Sequence, residues 1–193
     1  MRLSQAFLSV PHGTLRPMTT IDQVTWLDLP TQGPFDLMAS ARFLEGFAPA
    51  ARADAATRPG ELRLAFPVAP NCRPVGVLVQ QHTPGGPVRA AVRGAPSDVD
   101  RAVTALRRIL SLDVDGAGFP EIGARDPVVG ELQRRYPGLR PVAFHSPYEA
   151  ACYAVIGHRI RMTQAATIKH QLAQRLGEPV DVHGVVLPTF PSP

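Results

Sequence analysis

The spacing of apolar residues changes near the middle of this 193-residue chain, and this change limits the possible folds. Before about residue 115, three segments lie between turn sequences and either alternate apolar and polar residues or are rich in Val. They are ELRLAFPV, PVGVLVQQH and PVRAAVRG. Such segments favour strands, and their short connections favour antiparallel pairing. After residue 115 the apolar residues recur every three to four positions, which predicts helices. We therefore expect an α+β fold.

Further elements complete the predicted first half. IDQVTWLDL predicts a first strand, and PFDLMASARFLEGFAP predicts an amphipathic helix entered from Pro34. SDVDRAVTALRRILSL predicts a second helix with Ser97 as N-cap. One face of that helix carries Val99, Ala102, Val103, Leu106, Ile109 and Leu110. We expect a small antiparallel-sheet domain over residues 19–115, after a flexible extension over residues 1–18 in which Met18 is an alternative start to Met1.

Three helices are predicted in the second half. DPVVGELQRRY begins at an Asp cap, SPYEAACYAVIG begins at a Ser cap, and TQAATIKHQLAQRLG ends at Gly177, which suits a left-handed helix end. We expect these helices to bury Val128, Val129, Leu132, Tyr136, Tyr148, Ala151, Cys152, Val155, Ala165, Ile168, Leu172 and Leu176. PVDVHGVVLPTFPSP is predicted to be a loop. Three helices are too few to cover one another's apolar faces. We therefore expect an incomplete all-α domain over residues 116–193.

The segment CYAVIGHRIRMTQAA lies between two of these helices and concentrates positive charge. Gly157 interrupts the helical run, and His158, Arg159 and Arg161 follow before the next helix begins. The formal net charge of the chain is +4, which permits a polyanionic partner without requiring one. The residues alone leave two interpretations open, a DNA-binding joint and a solvated helix end with His158 capping the preceding carbonyls.

These segments, taken in order, resemble the 3-methyladenine DNA glycosylase II family of the helix-hairpin-helix DNA repair superfamily. PFDLMASARFLEGF resembles the first helix of the family's N-terminal domain, and RRILSLDVDGAGF resembles the helix that leaves it. RDPVVGELQRRYPGLRPVAFHSPYEAACYAVIGHRIRMTQAATIKHQLAQRLGE resembles the opening of the family's helical domain. This last segment is the most specific, because PGLRP, the Ser-Pro-Tyr-Glu cap, the Ile-Gly break and an Ala-rich helix occur together.

The resemblance implies an enzyme that extrudes an alkylated purine, such as 3-methyladenine, from double-stranded DNA and hydrolyses its N-glycosidic bond. It implies that His158, Arg159 and Arg161 contact the minor groove, with Arg159 as the wedge that fills the gap left by the base. The family usually has Gln and then an apolar or polar residue where this chain has His158 and Arg159. The resemblance also assigns Phe43 to the base pocket, where an aromatic face attracts a cationic base. Ordinary core packing of Phe43 is the alternative.

The family's catalytic parts do not occur in this sequence. They are a Leu-Pro-Gly-(Val or Ile)-Gly hairpin that holds a DNA phosphate and a downstream Asp that stabilises the sugar cation. Asp113, Asp115 and Asp126 fit linker and cap positions better than this role. Lys169, the only lysine, is predicted to face outward, so strand cleavage through a Schiff base is not supported. We expect a monofunctional type of enzyme, with no catalytic residue in this chain and no activity of the chain alone.

Other classes of protein find little support. The six His are dispersed and the two Cys have no metal-ligand spacing, so we expect neither a metal nor a cofactor. Two Cys favour a reducing, cytoplasmic setting. No apolar run approaches the roughly 18 residues of a membrane span. A non-catalytic double-stranded DNA-binding module is the alternative function, and a protein without a DNA role is a third possibility.

Overall fold

The computed structural model describes residues 24–47, 49, 52 and 54–193. The expected extension, and with it the choice between Met1 and Met18, lies outside these residues. The helices and strands follow one another as β1 Val24–Leu29, α1 Leu37–Gly46, β2 Glu61–Val68, β3 Arg73–Gln80, β4 Val88–Arg93, α2 Pro96–Ile109, α3 Phe119–Arg125, α4 Pro127–Arg135, α5 Pro147–Ile156, α6 Met162–Leu176, β5 Pro179–Val182 and β6 Val185–Pro188. The predicted α+β fold is confirmed, and the division at residue 115 stays a prediction.

Strands β1 to β4 form an antiparallel sheet in the order β1-β4-β3-β2. The alternation along each strand directs one set of apolar side chains to a single face, where α1 and α2 cover them. The members of this core with no more than 2% exposure include Leu62, Leu64, Phe66, Val75, Val77, Val79, Val88, Ala90, Val92, Leu37, Leu44, Ala102 and Leu106. Each large apolar side chain buried in this way contributes about 1.5–3 kcal/mol to stability.

The opposite face of the sheet carries small residues and is covered by the hairpin of β5 and β6. Ala65, Leu78 and Ala91 form a second cluster with Val182 of this hairpin. A Cβ atom at Gly76 would lie 2.9 Å from the Val182 side chain, so the hairpin approaches the sheet backbone closely. The prediction that residues 179–193 are a loop was wrong, as was the expected absence of strands after residue 115. Strands of four residues are too short for periodicity to reveal, and this pair gains stability by docking on the distant sheet.

The predicted burial of the second-half helices was largely wrong. Of the twelve residues expected in their cores, Ala165 alone is fully buried. Val128, Leu132, Tyr136, Tyr148, Val155 and Leu176 are 41–77% exposed. Helix α3 packs on α4, and α5 packs on α6, but few other described elements lie against them. The apolar faces of these helices therefore lack cover within the described part of the chain.

Two predicted helix starts are confirmed by their caps. Asp126 accepts hydrogen bonds from the Val128 and Val129 amides at the start of α4, and Ser146 accepts one from the Glu149 amide at the start of α5. Ser97 is not the cap of α2, because this helix begins at Pro96 without a side-chain cap. Gly177 is extended, not left-handed. No helix in the described ranges is long and apolar enough to cross a membrane.

Candidate nucleic-acid interface

Residues 157–161 connect α5 to α6, and we call this segment the joint. The Gly157 amide donates to the Tyr153 carbonyl at 2.7 Å, and the His158 amide donates to the Val155 carbonyl at 3.2 Å. These bonds close the last turn of α5 with the backbone. A Cβ atom at Gly157 would lie 3.1 Å from the Tyr153 oxygen. A residue without a side chain therefore suits the point where the chain leaves the helix.

Arg159 has a left-handed backbone conformation, with φ at +57°. This conformation brings Cβ close to the carbonyl oxygen and costs a residue other than Gly about 1–2 kcal/mol. Gly would adopt it without that cost. Strained positions cluster at functional sites, and among the described residues Cys72, Ser111 and His183 share the positive φ of Arg159.

The side chains of His158, Arg159 and Arg161 are all exposed. Across the described residues, none of the three has a hydrogen bond or an ion pair with its side chain. Most other described arginines are engaged: Arg52, Arg63, Arg73, Arg89, Arg93, Arg101 and Arg134 pair with carboxylates, and Arg107, Arg108, Arg125 and Arg140 donate to carbonyls. The positive charge of the joint is therefore available to an external anion.

The joint ends at the uncapped N-terminus of a long helix. Arg161 is the N-cap residue of the 15-residue helix α6, and its side chain makes no capping bond. The first amides of a helix carry a partial positive charge. Arg161 and this helix terminus therefore add to the same positive potential.

A buried ion pair joins the start of α5 to the middle of α6. Lys169 Nζ lies 2.6 Å from Glu149 Oε1, and the two side chains are 13% and 4% exposed. Glu149 Oε2 accepts a hydrogen bond from the His145 amide at 2.8 Å, and Lys169 Nζ donates to the Pro49 carbonyl at 2.9 Å. The prediction that Lys169 faces outward was wrong, because a local pattern does not reveal a partner on another helix.

This cluster keeps one acid charged and one histidine neutral. Burial alone raises the pKa of Glu149, but the positive charge of Lys169 and the hydrogen bonds from Lys169 Nζ and the His145 amide outweigh burial and lower the pKa. Burial lowers the pKa of His145, and Lys169, Arg52 and Arg108 lower it further, while Glu149 opposes them in part. At neutral pH Glu149 is therefore ionised and His145 is neutral.

Arg140, which belongs to the PGLRP motif, is a structural residue that the sequence did not single out. Arg140 is 7% exposed, and its guanidinium donates to the carbonyls of Pro34 at 3.1 Å, Ser111 at 2.8 Å and Val114 at 2.8 Å, and also to that of Gln32. Burial lowers the pKa of Arg140, and Asp115 opposes this shift. Arg140 thus joins the start of the helical half to two segments of the α/β half.

Phe43 lies on α1, half-buried against the main core. Its ring stacks on Phe47 with centroids 4.9 Å apart. Two cavities of about 1170 and 540 Å³ lie elsewhere, the first along α2 and the second beside α4. Neither is lined by Phe43 or by the joint. The role of Phe43 in a base pocket therefore stays a prediction. The DNA contacts of the joint also stay a prediction.

Solved DNA glycosylases share the fold of this chain. A 3-methyladenine DNA-glycosylase from Archaeoglobus fulgidus matches with a TM-score of 0.67 at 16% identity, over 87% of this chain and 56% of that chain. An 8-oxoguanine glycosylase/lyase of Clostridium acetobutylicum, in complex with double-stranded DNA, matches with a TM-score of 0.50 at 14% identity, over 89% of this chain and 54% of that chain. At these identities the likeness concerns the fold alone.

DNA-3-methyladenine glycosylases are among the proteins similar to this chain in sequence. A DNA-3-methyladenine glycosylase of Bacillus subtilis is 27% identical over 92 residues, which are 48% of this chain and 30% of that protein. A probable bifunctional transcriptional activator/DNA repair enzyme AlkA of Mycobacterium tuberculosis is 32% identical over 96 residues, 49% of this chain and 19% of that protein. No family model matches. The predicted resemblance is confirmed: over about half of its length this chain is related to the DNA-3-methyladenine glycosylases, and it spans less than a third of these relatives.

Proposed function

We propose that this chain is the DNA-contacting part of a monofunctional DNA N-glycosylase that removes alkylated purines, such as 3-methyladenine, from double-stranded DNA in the cytoplasm. The observation that carries this proposal is the joint, with exposed basic side chains that have no partner among the described residues. The family relationship supports base-excision repair as the process. The proposed reaction is hydrolysis of the N-glycosidic bond, which needs no redox cofactor.

The joint has the chemistry that a minor-groove contact requires. Extruding a base costs a few kcal/mol, and a side chain that fills the gap recovers part of this cost. In the proposed complex Arg159 fills the gap with its stem and stacks its planar guanidinium on the neighbouring bases. His158 and Arg161 lie on either side of it and contact phosphates, which position the protein on the duplex.

The surroundings of the joint favour a rigid wedge. The Lys169–Glu149 pair joins the two flanking helices, and the left-handed backbone at Arg159 restricts the turn. A segment that is ordered before binding loses less conformational entropy in the complex. Phe43 is proposed to face the extruded base, since an aromatic ring attracts the positive charge of an alkylated purine.

Three acidic side chains of the helical half are engaged within the protein, in line with the proposal that this chain alone is inactive. Asp126 caps α4, Glu149 pairs with Lys169, and Asp181 pairs with Arg93. None of these three carboxylates is available to stabilise a sugar cation. The exposed apolar faces of α4, α5 and α6 are proposed to pack against further helical chain that carries the catalytic acid. The same engaged carboxylates favour, as the second candidate, a non-catalytic double-stranded DNA-binding module.

Binding and base release by the 193-residue protein test this proposal. We expect binding to alkylated duplex DNA that weakens as salt rises, because phosphate contacts release counterions. We expect no release of 3-methyladenine. The Arg161→Ala variant should bind more weakly, whereas the control Arg89→Ala, which removes an exposed arginine paired with Asp28 on the sheet, should not. Binding without salt dependence would contradict a DNA role, and released base would contradict inactivity.

A further inference from the structure

A second group of basic side chains lies at the edge of the main sheet that is formed by strand β2. Arg52, Arg58 and Arg63 line one narrow cleft of about 30 Å³. The cleft is completed by Asp54, Ala55, Thr57, Glu61 and Val185, and no residue of the joint lines it. We propose, independently of the function of the joint, that this cleft binds a phosphate group, either free inorganic phosphate or a phosphate of the DNA backbone.

Arg63 has a buried donor that no described residue satisfies. Its side chain is 9% exposed, and its Nη1 lies 2.9 Å from Glu61 Oε2. The other oxygen of Glu61 accepts a hydrogen bond from Gln80 Nε2 at 3.1 Å. The Nε atom of Arg63 is buried and has no hydrogen-bond partner among the described residues. Because folded proteins satisfy nearly all buried N–H groups, Arg63 calls for an acceptor from outside the described part of the chain.

The charges in the cleft leave one arginine uncompensated. Arg52 Nε lies 3.3 Å from Asp54 Oδ1, and Arg63 pairs with Glu61. Arg58 is exposed and makes no hydrogen bond or ion pair with the described residues. Three guanidinium groups therefore share two carboxylates, and both carboxylates are already engaged by arginine. An anion that enters beside Arg58 balances the remaining positive charge.

The donor set favours a tetrahedral oxyanion. Guanidinium groups have N–H donors and no acceptor, so a ligand that contacts more than one of them must offer acceptors in several directions. A phosphate group offers such oxygens, whereas a carboxylate offers two oxygens in one plane. Arginine binds phosphate through paired, charge-assisted hydrogen bonds. A space of about 30 Å³ is close to the volume of one water molecule, so phosphate oxygens can enter it and a base or a sugar cannot.

Thermal unfolding of the 193-residue protein in sodium phosphate, sodium chloride and sodium acetate, at one pH and equal ionic strength, tests this proposal. A ligand that binds only the folded protein raises the unfolding midpoint as its concentration rises. We expect a saturable rise in phosphate that neither chloride nor acetate reproduces. Saturation separates a binding site from the general stabilising effect of phosphate, which comes from its exclusion from the protein surface.

Substitutions at the cleft assign the effect to named side chains. Arg58→Gln removes the uncompensated charge at an exposed position, so the variant should fold, and its dissociation constant for phosphate should be at least about tenfold higher. Arg63→Lys keeps the charge but lacks the planar fork and should weaken phosphate binding by a similar factor. Arg89→Gln is the matched control, because it removes an exposed arginine of the same sheet that pairs with Asp28. Its phosphate binding should be unchanged.

Binding to duplex DNA distinguishes the two sources of the phosphate group. Weaker DNA affinity in Arg58→Gln, with a slope of log affinity against log salt smaller by about 1, would assign the site to the DNA backbone. Unchanged DNA binding together with lost phosphate binding would assign it to free phosphate. An unfolding midpoint that rises equally in phosphate and in the matched salts would overturn the proposal. An equal response to phosphate in Arg58→Gln and in the unsubstituted protein would overturn it as well.

Discussion

The ammonium group of Lys169 lies 2.6 Å from the carboxylate of Glu149, and both side chains are buried between α5 and α6. The only lysine of the chain is therefore a structural cation that holds together the two helices flanking the joint. Glu149 also accepts a hydrogen bond from the His145 amide, and Lys169 also donates one to the Pro49 carbonyl. One pair thus links the start of α5, the middle of α6 and the segment after α1.

Removing one member of this pair should strongly destabilise the protein. Lys169→Met leaves the Glu149 carboxylate buried without its cation, and we expect the free energy of unfolding to fall by about 3–5 kcal/mol. The double variant Lys169→Met with Glu149→Gln should lose less, because no unpaired charge remains. Urea denaturation measures both. Arg134→Ala, which breaks an exposed pair with Glu131, is the control and should change stability by less than about 1 kcal/mol. A loss below about 1 kcal/mol in Lys169→Met would show that the pair is not buried as described.

Acidification should destabilise the protein through His145. Its pKa is lowered in the folded state, so below the ordinary value of 6.5 the unfolded chain binds a proton that the folded chain does not. Stability is therefore full above that pH and falls as the pH drops below it. Glu149, whose folded pKa is also lowered, adds a second loss below its ordinary value of 4.5. Urea denaturation between pH 8 and pH 4 should show both losses. His145→Gln should abolish the loss of stability that begins below pH 6.5, whereas His158→Gln, at an exposed histidine, should not. An unchanged dependence of stability on pH in His145→Gln would contradict the assignment of this loss to His145.

Arg140 should be replaceable by neither Ala nor Lys. Arg140→Ala leaves the carbonyls of residues 32, 34, 111 and 114 without their donor, and we expect a loss of about 1–3 kcal/mol. Arg140→Lys keeps the charge but lacks the planar fork that reaches several carbonyls, so an intermediate loss is expected. Chemical denaturation measures these differences. Arg125→Ala is the control, since exposed Arg125 donates only to a carbonyl of its own helix, and an equal loss there would refute the special role of Arg140.

The contact between the hairpin and the sheet should be sensitive to a single methyl group at Gly76. In Gly76→Ala the new Cβ would lie 2.9 Å from Val182 and 3.0 Å from Val180, so we expect a loss of about 1–3 kcal/mol from overpacking. A second substitution, Val182→Ala, should recover part of this loss by making room. Gly46→Ala is the control, because no atom lies within 4 Å of its added Cβ. Thermal unfolding that is unaffected by Gly76→Ala would show that the hairpin does not dock on this face.

The backbone strain at Arg159 predicts opposite effects on stability and on DNA affinity. Arg159→Gly should leave the protein as stable as before or more stable by up to about 1–2 kcal/mol, since Gly adopts a positive φ freely. The same variant should bind duplex DNA more weakly, with a slope of log affinity against log salt smaller by about 1. Arg159→Ala should show the same loss of affinity without the gain in stability. Unchanged affinity in both variants would make Arg159 an ordinary solvated residue.

Local patterns in the sequence determined most of the first half and the helix starts of the second. Alternation predicted β1 to β4 and the antiparallel sheet, and helical spacing placed Ala102, Leu106 and Ile109 in the core. Asp126 and Ser146 cap the helices that they were expected to cap. These features depend on residues within a few positions of one another, which is why a sequence reveals them. The short helix α3, with its Pro and Gly, was missed.

Contacts between distant segments decided the rest. Short strands β5 and β6 are stable only against the sheet, Lys169 is buried only because Glu149 lies on the adjacent helix, and α4 to α6 leave apolar faces exposed. The basic composition of the joint is a property of the sequence. The tertiary structure shows that the basic side chains of the joint have no partner in the described part of the chain and that Arg159 has a left-handed backbone. Neither follows from residue order, because pairing and strain depend on which groups the fold brings together.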